Sequence, residues 1–181
     1  VLVTSCGSGS SGSGVTAVTG TVTPPAPTPT NYNTAEYRRS YALGQMKAIA
    51  AYDNGATGQG VTVAVIDSGI DIDSAQLVPN IHSDSINIAT NSKDDLNDTD
   101  GHGTAVASVI ASIRDPFNTQ LEQTNRNTHG VAFDSKVLAL NAASVGSCAS
   151  TDGCSFFDSD VARALDYARV RGVKVVNISL G

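Results

Sequence analysis

The stretch Gly60-Val61-Thr62-Val63-Ala64-Val65-Ile66 leads directly into Asp67-Ser68-Gly69. Its β-branched and small apolar residues, bounded by glycines, predict a strand that is buried on both faces. Strands of this kind belong to parallel sheets that helices cover on both sides. Because ligands bind at the carboxyl ends of such strands, we expect Asp67 to lie at the functional edge of the sheet.

The rest of the chain alternates between helical and extended patterns. Working outward, the sequence predicts a helix over residues 103 to 113, a strand over 137 to 140, a helix over 161 to 171 and a strand over 173 to 179. Strands that alternate with helices in this way are typical of an α/β fold with a mainly parallel sheet.

A further helix is predicted ahead of the first strand. Asn33-Thr34-Ala35-Glu36 has the pattern of a capping box, in which a polar residue and a later glutamate satisfy free N–H groups at a helix start. The turn Asp53-Asn54-Gly55 is expected to end this helix. Its predicted apolar face includes Tyr37, Tyr41, Met46, Ile49 and Ala50.

Composition and charge narrow the classes of partner. The chain has 181 residues, of which 40% are hydrophobic, and this is enough for one domain with its own core. Its formal net charge is -6 and its 11 Lys and Arg residues are scattered, whereas nucleic-acid binding needs a clustered basic surface. No apolar run reaches the roughly 18 residues of a transmembrane helix. We therefore expect no nucleic-acid partner and no membrane-spanning helix.

The N-terminal residues have the composition of an export signal followed by a tether. Residues 1 to 6 look like the end of a signal peptide, and Val3-Thr4-Ser5-Cys6 resembles the lipobox of bacterial lipoproteins. Residues 7 to 32 are rich in Gly and Ser and then in Pro and Thr, which predicts a disordered linker. We expect lipidation of Cys6 and a protein that is exported, either to the bacterial cell envelope (outer membrane or cell surface) or into the medium.

The other two cysteines, Cys148 and Cys154, flank a short polar stretch. In an exported protein the compartment is oxidising, which favours a disulfide that closes a small loop. A zinc site is disfavoured, because zinc takes four ligands and only two sulfurs are close in sequence. We predict a disulfide between these two residues and assign no metal site.

Asp67 and His102 are the candidate catalytic residues. Each alone has an ordinary explanation, since an aspartate after a strand is often a turn residue and a lone histidine is often structural. His102, however, stands between Gly101 and Gly103, which leave room around the imidazole and allow a sharp turn into a helix. Together the imidazole can act as a base near neutral pH and the carboxylate can fix its tautomer. Such a pair activates a hydroxyl nucleophile.

Four motifs, in this order, resemble those of the subtilases, the subtilisin-like serine peptidases. They are Val63-Ala64-Val65-Ile66-Asp67-Ser68-Gly69-Ile70-Asp71, Asp100-Gly101-His102-Gly103-Thr104-Ala105-Val106-Ala107, His129-Gly130-Val131-Ala132 and Val175-Val176-Asn177-Ile178-Ser179-Leu180-Gly181. The resemblance implies that residues 33 to 181 are the N-terminal part of a subtilase peptidase domain. Its fold would have three layers and a mainly parallel sheet, and would be incomplete at the C-terminus.

The opening of this domain carries a further likeness. Asn31-Tyr32-Asn33-Thr34-Ala35-Glu36-Tyr37, together with the Pro-rich leader, is similar to the start of subtilases of the autotransporter or lipoprotein type of Gram-negative bacteria. Asp71 corresponds to an aspartate that binds calcium in some subtilases. One ligand does not make a site, so we assign no cofactor and leave calcium binding open.

The resemblance also implies a role for each matching residue. Asp67 would orient His102, and His102 would take the proton of a serine and later give it to the leaving amine. In the family that serine and the oxyanion-hole asparagine follow the segment that ends here at Gly181, so these 181 residues alone are expected to be inactive. Ser179, Leu180 and Gly181 resemble the strand that binds the substrate backbone.

The expected function is a serine endopeptidase that hydrolyses polypeptide substrates through an Asp-His-Ser triad. The alternative is a catalytically inactive module of the same fold that binds polypeptide segments along Ser179, Leu180 and Gly181. A nucleotide-binding α/β domain is disfavoured, because no Gly-rich phosphate loop follows the strand that ends at Ile66.

The polar loop over residues 83 to 100 is dense in Asp and Asn. Its Asp98-Thr99-Asp100-Gly101 imitates the middle of an EF-hand loop, but Leu96 and Ala107 occupy positions where that loop needs calcium ligands. We expect this loop to be a solvated surface near the cleft.

Overall fold

The structure is a computed structural model, and it describes residues 30–114, 128–149 and 153–180. In chain order its elements are α1 (Ala35–Arg39), α2 (Tyr41–Gln45), α3 (Ala48–Tyr52), β1 (Thr62–Asp67), β2 (Ile86–Asn87), α4 (His102–Ala111), β3 (Lys136–Asn141), α5 (Asp158–Val170) and β4 (Val175–Ile178). The predicted signal remnant, with Cys6, and the predicted linker as far as residue 29 lie outside the described residues.

The strands form one parallel sheet in the order β2-β3-β1-β4. The strand predicted from the opening stretch is β1, and it pairs with β3 on one side and with β4 on the other. Its polar backbone groups therefore bond within the sheet, as a strand buried on both faces requires. The structure confirms the predicted α/β fold with a parallel sheet.

Each face of the sheet carries a helix, which gives three layers. Successive side chains of β1 and β3 point to opposite faces because a strand has a period of two residues. The cluster on the α4 face contains Val65, Ile70, Leu77, Leu96, Ala107, Ala111, Val137 and Ala139. The cluster on the α5 face contains Ala64, Ile66, Ile86, Ile88, Leu138, Leu140, Ala142, Ala164 and Ala168. Both helices present two alanines four residues apart to the sheet, so their backbones can approach the strands closely.

The prediction of a single helix between residue 33 and the Asp53-Asn54-Gly55 turn is wrong, because this segment forms three short helices. The first break is at Ser40, whose backbone is extended (φ -89°, ψ 103°) and whose hydroxyl caps α2 by accepting a hydrogen bond from Leu43 N–H. The second break is at Lys47, which adopts the left-handed conformation with φ 54°. Side-chain capping and backbone conformation thus interrupt a pattern that looked continuous.

The start of α1 also differs from the capping-box prediction. The N-cap is Thr34 and not Asn33, since the Thr34 hydroxyl accepts the Tyr37 N–H at 3.2 Å. Residues before α1 also pack on the domain, since the ring of Tyr32 lies 5.3 Å from the ring of Tyr52. Of the predicted linker over residues 7 to 32, the last part therefore joins the packed domain.

The other predicted elements are present with shifted ends. The two later helices begin earlier than predicted, at His102 and Asp158, and the last strand covers only Val175–Ile178. The short strand β2 was not predicted, because it lies within the polar loop over residues 83 to 100. Within the described ranges no helix is both long enough and apolar enough to span a bilayer.

A third cluster lies beneath the three N-terminal helices and encloses His129. Its buried members are Tyr37, Leu43, Ala48, Tyr52 and Phe133. His129 is 3% exposed, and its ring lies 5.0 Å from that of Phe133. Its Nδ1 lies 2.8 Å from the Gly130 carbonyl oxygen, and burial lowers the pKa of the ring. We conclude that the buried imidazole is neutral and that Nδ1–H donates to that carbonyl.

The contact between α4 and β1 generates a first prediction. A Cβ added at Gly103 would lie 2.3 Å from the carbonyl oxygen of Gly69. We predict that Gly103→Ala lowers the free energy of unfolding by about 1–3 kcal/mol, because the helix must move away from the strand. Urea unfolding of the full-length protein measures the change.

Gly44→Ala is the matched control, since Gly44 is also helical and a Cβ there would have no neighbour within 4 Å. Alanine at this position is expected to stabilise the protein by up to about 1 kcal/mol. Equal effects of the two substitutions would contradict the close contact between α4 and β1.

His129 generates a prediction about acid stability. Because its pKa is lowered from 6.5 in the folded protein, the unfolded chain binds a proton here at a pH where the folded chain does not. Stability should therefore fall as the pH drops below about 6.5, and the loss should be complete below the folded pKa. We predict that His129→Leu shows a smaller drop in Tm than the wild type between about pH 8 and about pH 5.

Tyr52→Phe is the control for this experiment. It alters the same aromatic cluster but removes a group whose pKa is raised by burial to about 12, far above the range of the experiment. It should keep the wild-type dependence of Tm on pH. If His129→Leu also keeps it, protonation of His129 does not contribute to acid sensitivity.

Candidate active site

Asp67 is the last residue of β1, and its side chain is 1% exposed. Pairing of the strand with β3 places it opposite Asn141 and fixes its backbone. Its Oδ1 accepts the Ser68 N–H at 2.8 Å, whereas its Oδ2 is buried without a hydrogen-bond partner among the described residues. The sheet therefore holds a carboxylate that water solvates poorly at its carboxyl edge.

His102 is the first residue of α4, and a glycine on each side explains its position. Gly101, the N-cap, has a φ of 93°, a conformation that favours glycine. Gly103 packs so closely on the end of β1 that a Cβ would meet Asp67 Cβ at 3.1 Å as well as the Gly69 carbonyl oxygen. The two glycines thus allow the chain to turn into α4 directly against the strand.

The structure brings the two predicted catalytic residues together. His102 Nδ1 lies 2.8 Å from Asp67 Oδ1, and the His102 side chain is 50% exposed. The hydrogen bond to Asp67, and then the charge of Asp67, raise the pKa of His102 above its ordinary value of 6.5. A carboxylate at Nδ1 leaves Nε2 as the ring nitrogen that can accept a proton, which is the arrangement of a general base.

A cleft of about 260 Å³ opens beside His102. Its lining consists of Asp67, Ser68, Asp100, His102, Gly153, Cys154, Phe156, Ser179 and Leu180. Two of the three residues predicted to bind substrate, Ser179 and Leu180, therefore share the cleft with the histidine, and Gly181 lies outside the described residues. The cause is the sheet: β1 and β4 are parallel neighbours, with Ile66 opposite Ile178, so both strands end at the same edge.

The structure joins Cys148 and Cys154 by a disulfide with an S–S distance of 2.03 Å. The residues that flank the disulfide are also joined by a hydrogen bond, in which the Ser147 hydroxyl accepts the Ser155 N–H at 3.0 Å. Cys154 lines the cleft beside the histidine. The sequence predicted the cysteine pair but not its position at the cleft, because that position depends on tertiary structure.

The expectation that the loop over residues 83 to 100 is only a solvated surface is wrong for Asp98. This residue is half-buried, and its carboxylate accepts hydrogen bonds from the hydroxyls of Ser68 at 2.9 Å and Thr104 at 2.6 Å. A sequence signal existed, since aspartate shortly before a helix is a common capping residue. The pattern around Asp98 resembled only part of an EF-hand loop, so this role was not predicted from the sequence.

The same loop contributes Asp100, whose Oδ2 accepts the His102 N–H at 3.2 Å. Asp71, which matches a calcium ligand of some subtilases, uses its carboxylate to accept the Asp73 N–H at 2.9 Å. Across residues 30–114, 128–149 and 153–180, no group of three His, Cys, Asp or Glu residues is placed to hold a metal ion.

Comparison with known proteins agrees with this arrangement. The Subtilase family (Peptidase S8) matches residues 58–181. The extracellular serine protease of Serratia marcescens is 32% identical to this chain over 120 residues, which are 65% of this chain and 10% of that protein. Halolysin of Haloferax mediterranei is 30% identical over 153 residues, which are 82% of this chain and 26% of that protein.

A solved structure of a serine protease has a similar fold. The serine protease of Aeromonas sobria, in complex with its chaperone ORF2, superimposes with a TM-score of 0.54 and 30% identity over 72% of this chain. The chain spans 20% of that protein, and thus only a minor part of each of these relatives. A family match that covers most of the chain, together with a shared fold in which the aspartate and histidine motifs meet, establishes that the chain belongs to the Subtilase family.

Proposed function

We propose that this chain is the N-terminal part of the catalytic domain of an exported serine endopeptidase. Asp67 and His102 are two members of its Asp-His-Ser triad, and the serine follows Gly181 in the complete protein. The observation that carries the proposal is the hydrogen bond between a buried carboxylate and a half-exposed imidazole at a cleft. The relatives, which are serine proteases, support it.

In this mechanism His102 Nε2 takes the proton of the serine hydroxyl while the oxygen attacks the peptide carbonyl carbon. Asp67 stabilises the imidazolium that forms, because its charge and its hydrogen bond both favour the protonated ring. The same Nε2 then gives its proton to the amine as the C–N bond breaks, which leaves an acyl-enzyme. Water then attacks the acyl-enzyme with His102 again acting as the base, and the carboxylic acid product is released as the serine is regenerated.

The segment that follows β4 supports an extended mode of substrate binding. Ser179 and Leu180 line the same cleft as His102. An extended peptide can pair with such a segment through main-chain hydrogen bonds. A peptide bound along these residues would pass beside His102.

Export and membrane attachment are part of the proposal. The relative from Serratia marcescens is described as extracellular, and a disulfide such as Cys148–Cys154 is stable in an oxidising compartment. Acylation of Cys6, with the Gly/Ser and Pro-rich residues as a tether, would hold the enzyme at the bacterial cell envelope.

A fluorophosphonate probe, which reacts with an activated serine, tests the proposal on the full-length protein. We predict labelling of the wild type and a loss of about 10⁴-fold in rate in Asp67→Asn, because the imidazole then adopts the wrong tautomer. His102→Ala should show a comparable loss. Asp94→Asn, an exposed substitution in the neighbouring loop, is the control and should label like the wild type. A folded wild type that is not labelled would exclude the peptidase and favour a peptide-binding module.

The raised pKa of His102 predicts the pH dependence of labelling. Only the neutral ring accepts a proton, so the rate should fall as the pH drops, with a midpoint above the ordinary value of 6.5. The charge of Asp100 also raises this pKa, so Asp100→Asn should move the midpoint to lower pH. Labelling rates measured across the pH range check both shifts, and a wild-type midpoint below 6.5 would contradict the role of Asp67.

A further inference from the structure

We infer that Asp98 is a positioning residue for the Asp67–His102 pair: its carboxylate ties the turn after β1 to the first turn of α4 and so holds the imidazole against Asp67. This inference rests on the proposed function. Asp98 does not line the cleft beside His102, so it acts through its neighbours and not on the substrate.

The contacts of Asp98 join both motifs. Its Oδ1 accepts the Ser68 hydroxyl and the Gly101 N–H, each at 2.9 Å. Its Oδ2 accepts the Thr104 N–H at 2.8 Å and the Thr104 hydroxyl at 2.6 Å. One carboxylate thus binds the residue that follows the buried aspartate and residues on both sides of the histidine.

The two hydroxyls extend this connection. Ser68 Oγ also accepts the Gly103 N–H at 2.9 Å, and Thr104 Oγ1 also accepts the Asp71 N–H at 2.9 Å. Each hydroxyl therefore donates to Asp98 and accepts from the opposite motif. The first N–H groups of α4, which have no partner within the helix, are satisfied from outside it. His102 lies in the middle of this network.

Only a carboxylate satisfies every donor around Asp98. An ionised Asp side chain is acceptor-only, whereas the amide of Asn has one oxygen and an NH₂ group that donates. In either orientation of that amide, its NH₂ group would face the N–H of Gly101 or of Thr104. One of these backbone donors would then lose its acceptor, so Asp98→Asn must shift the chain next to His102.

The ionisation of Asp98 fits this role. Burial acts to raise its pKa, but hydrogen bonds from Thr104, Gly101 and Ser68 outweigh burial and hold the pKa below the ordinary value of 3.8. The charge of Asp98 also raises the pKa of His102, although less than the charge of Asp100 does. A charge effect and a positioning effect can therefore be separated by comparing the two aspartates.

The experiment measures kcat, KM and the pH profile of peptide hydrolysis for the full-length wild type, Asp98→Asn and Asp100→Asn. For Asp98→Asn we expect kcat at the high-pH plateau to fall about tenfold to hundredfold, because a small displacement of a catalytic group has a large effect on rate. We expect KM to change less than kcat. Asp100→Asn should shift the acid limb and lose much less of the plateau rate. Equal plateau losses in both variants, or none in Asp98→Asn, would overturn the inference.

A second pair of variants keeps the test decisive if Asp98→Asn does not fold. Thr104→Ser retains the hydroxyl that Asp98 accepts, and Thr104→Val replaces it with a methyl group of similar size. We expect Thr104→Ser to keep the wild-type plateau rate and Thr104→Val to lose rate as Asp98→Asn does, with active-site titration showing an unchanged fraction of active molecules. A loss that only follows the active fraction would reduce Asp98 to a stabilising residue.

NMR separates failure of this inference from failure of the proposed function. The His102 Nδ1 proton that is hydrogen-bonded to Asp67 should give a downfield resonance in the wild type and in Asp100→Asn. This resonance should be absent from the spectrum of Asp98→Asn. This readout needs no catalysis. An enzyme that is never labelled by fluorophosphonate would contradict the peptidase alone, whereas a resonance that persists in Asp98→Asn would contradict the positioning role.

Discussion

The close approach of the first turn of α4 to the end of β1 is the constraint on which the site depends. The Gly69 carbonyl oxygen occupies the space that a Cβ at Gly103 would need, at 2.3 Å. Because His102 immediately precedes Gly103, this contact brings the imidazole to 2.8 Å from the Asp67 carboxylate. Alanines at positions 107 and 111 continue the same close packing along the helix. The steric fit at one glycine thus determines the distance between two reactive groups.

The parallel sheet places Asp67 and the residues that follow β4 at the same edge. Its central strand ends at Asp67, and the neighbouring β4 ends just before Ser179 and Leu180. A parallel arrangement places both carboxyl ends together, so the carboxylate that holds His102 and the residues that line the cleft come from adjacent strands. The disulfide between Cys148 and Cys154 then adds a covalently closed wall to the cleft. The residues that line the cleft thus lie where the strands end.

Sequence patterns predicted the elements whose buried residues recur regularly within one segment. The β-branched run of β1 and the helical patterns of α4 and α5 predicted these elements, and the resemblance to the subtilases implied the meeting of Asp67 and His102. The breaks at Ser40 and Lys47 were not predicted, because the local pattern does not show that Ser40 caps a second helix or that Lys47 adopts the left-handed conformation. The partners of Asp98 were equally hidden, since Ser68 lies 30 positions earlier in the chain. A pattern within one segment cannot show a hydrogen bond that tertiary structure creates.

The burial of Asp67 has a consequence for the behaviour of the site in concentrated electrolytes. Dissolved ions screen charges that face solvent, and the Lys93–Asp84 pair, with side chains 51% and 39% exposed, is of that kind. The Asp67 side chain is almost inaccessible, so counterions cannot gather around it, and its attraction for the imidazolium is weakened far less. Salt that removes the contribution of surface pairs would therefore leave the contribution of Asp67 to the basicity of His102 largely intact. The same burial that lets Asp67 orient the imidazole also protects their attraction from the ionic strength of the surroundings.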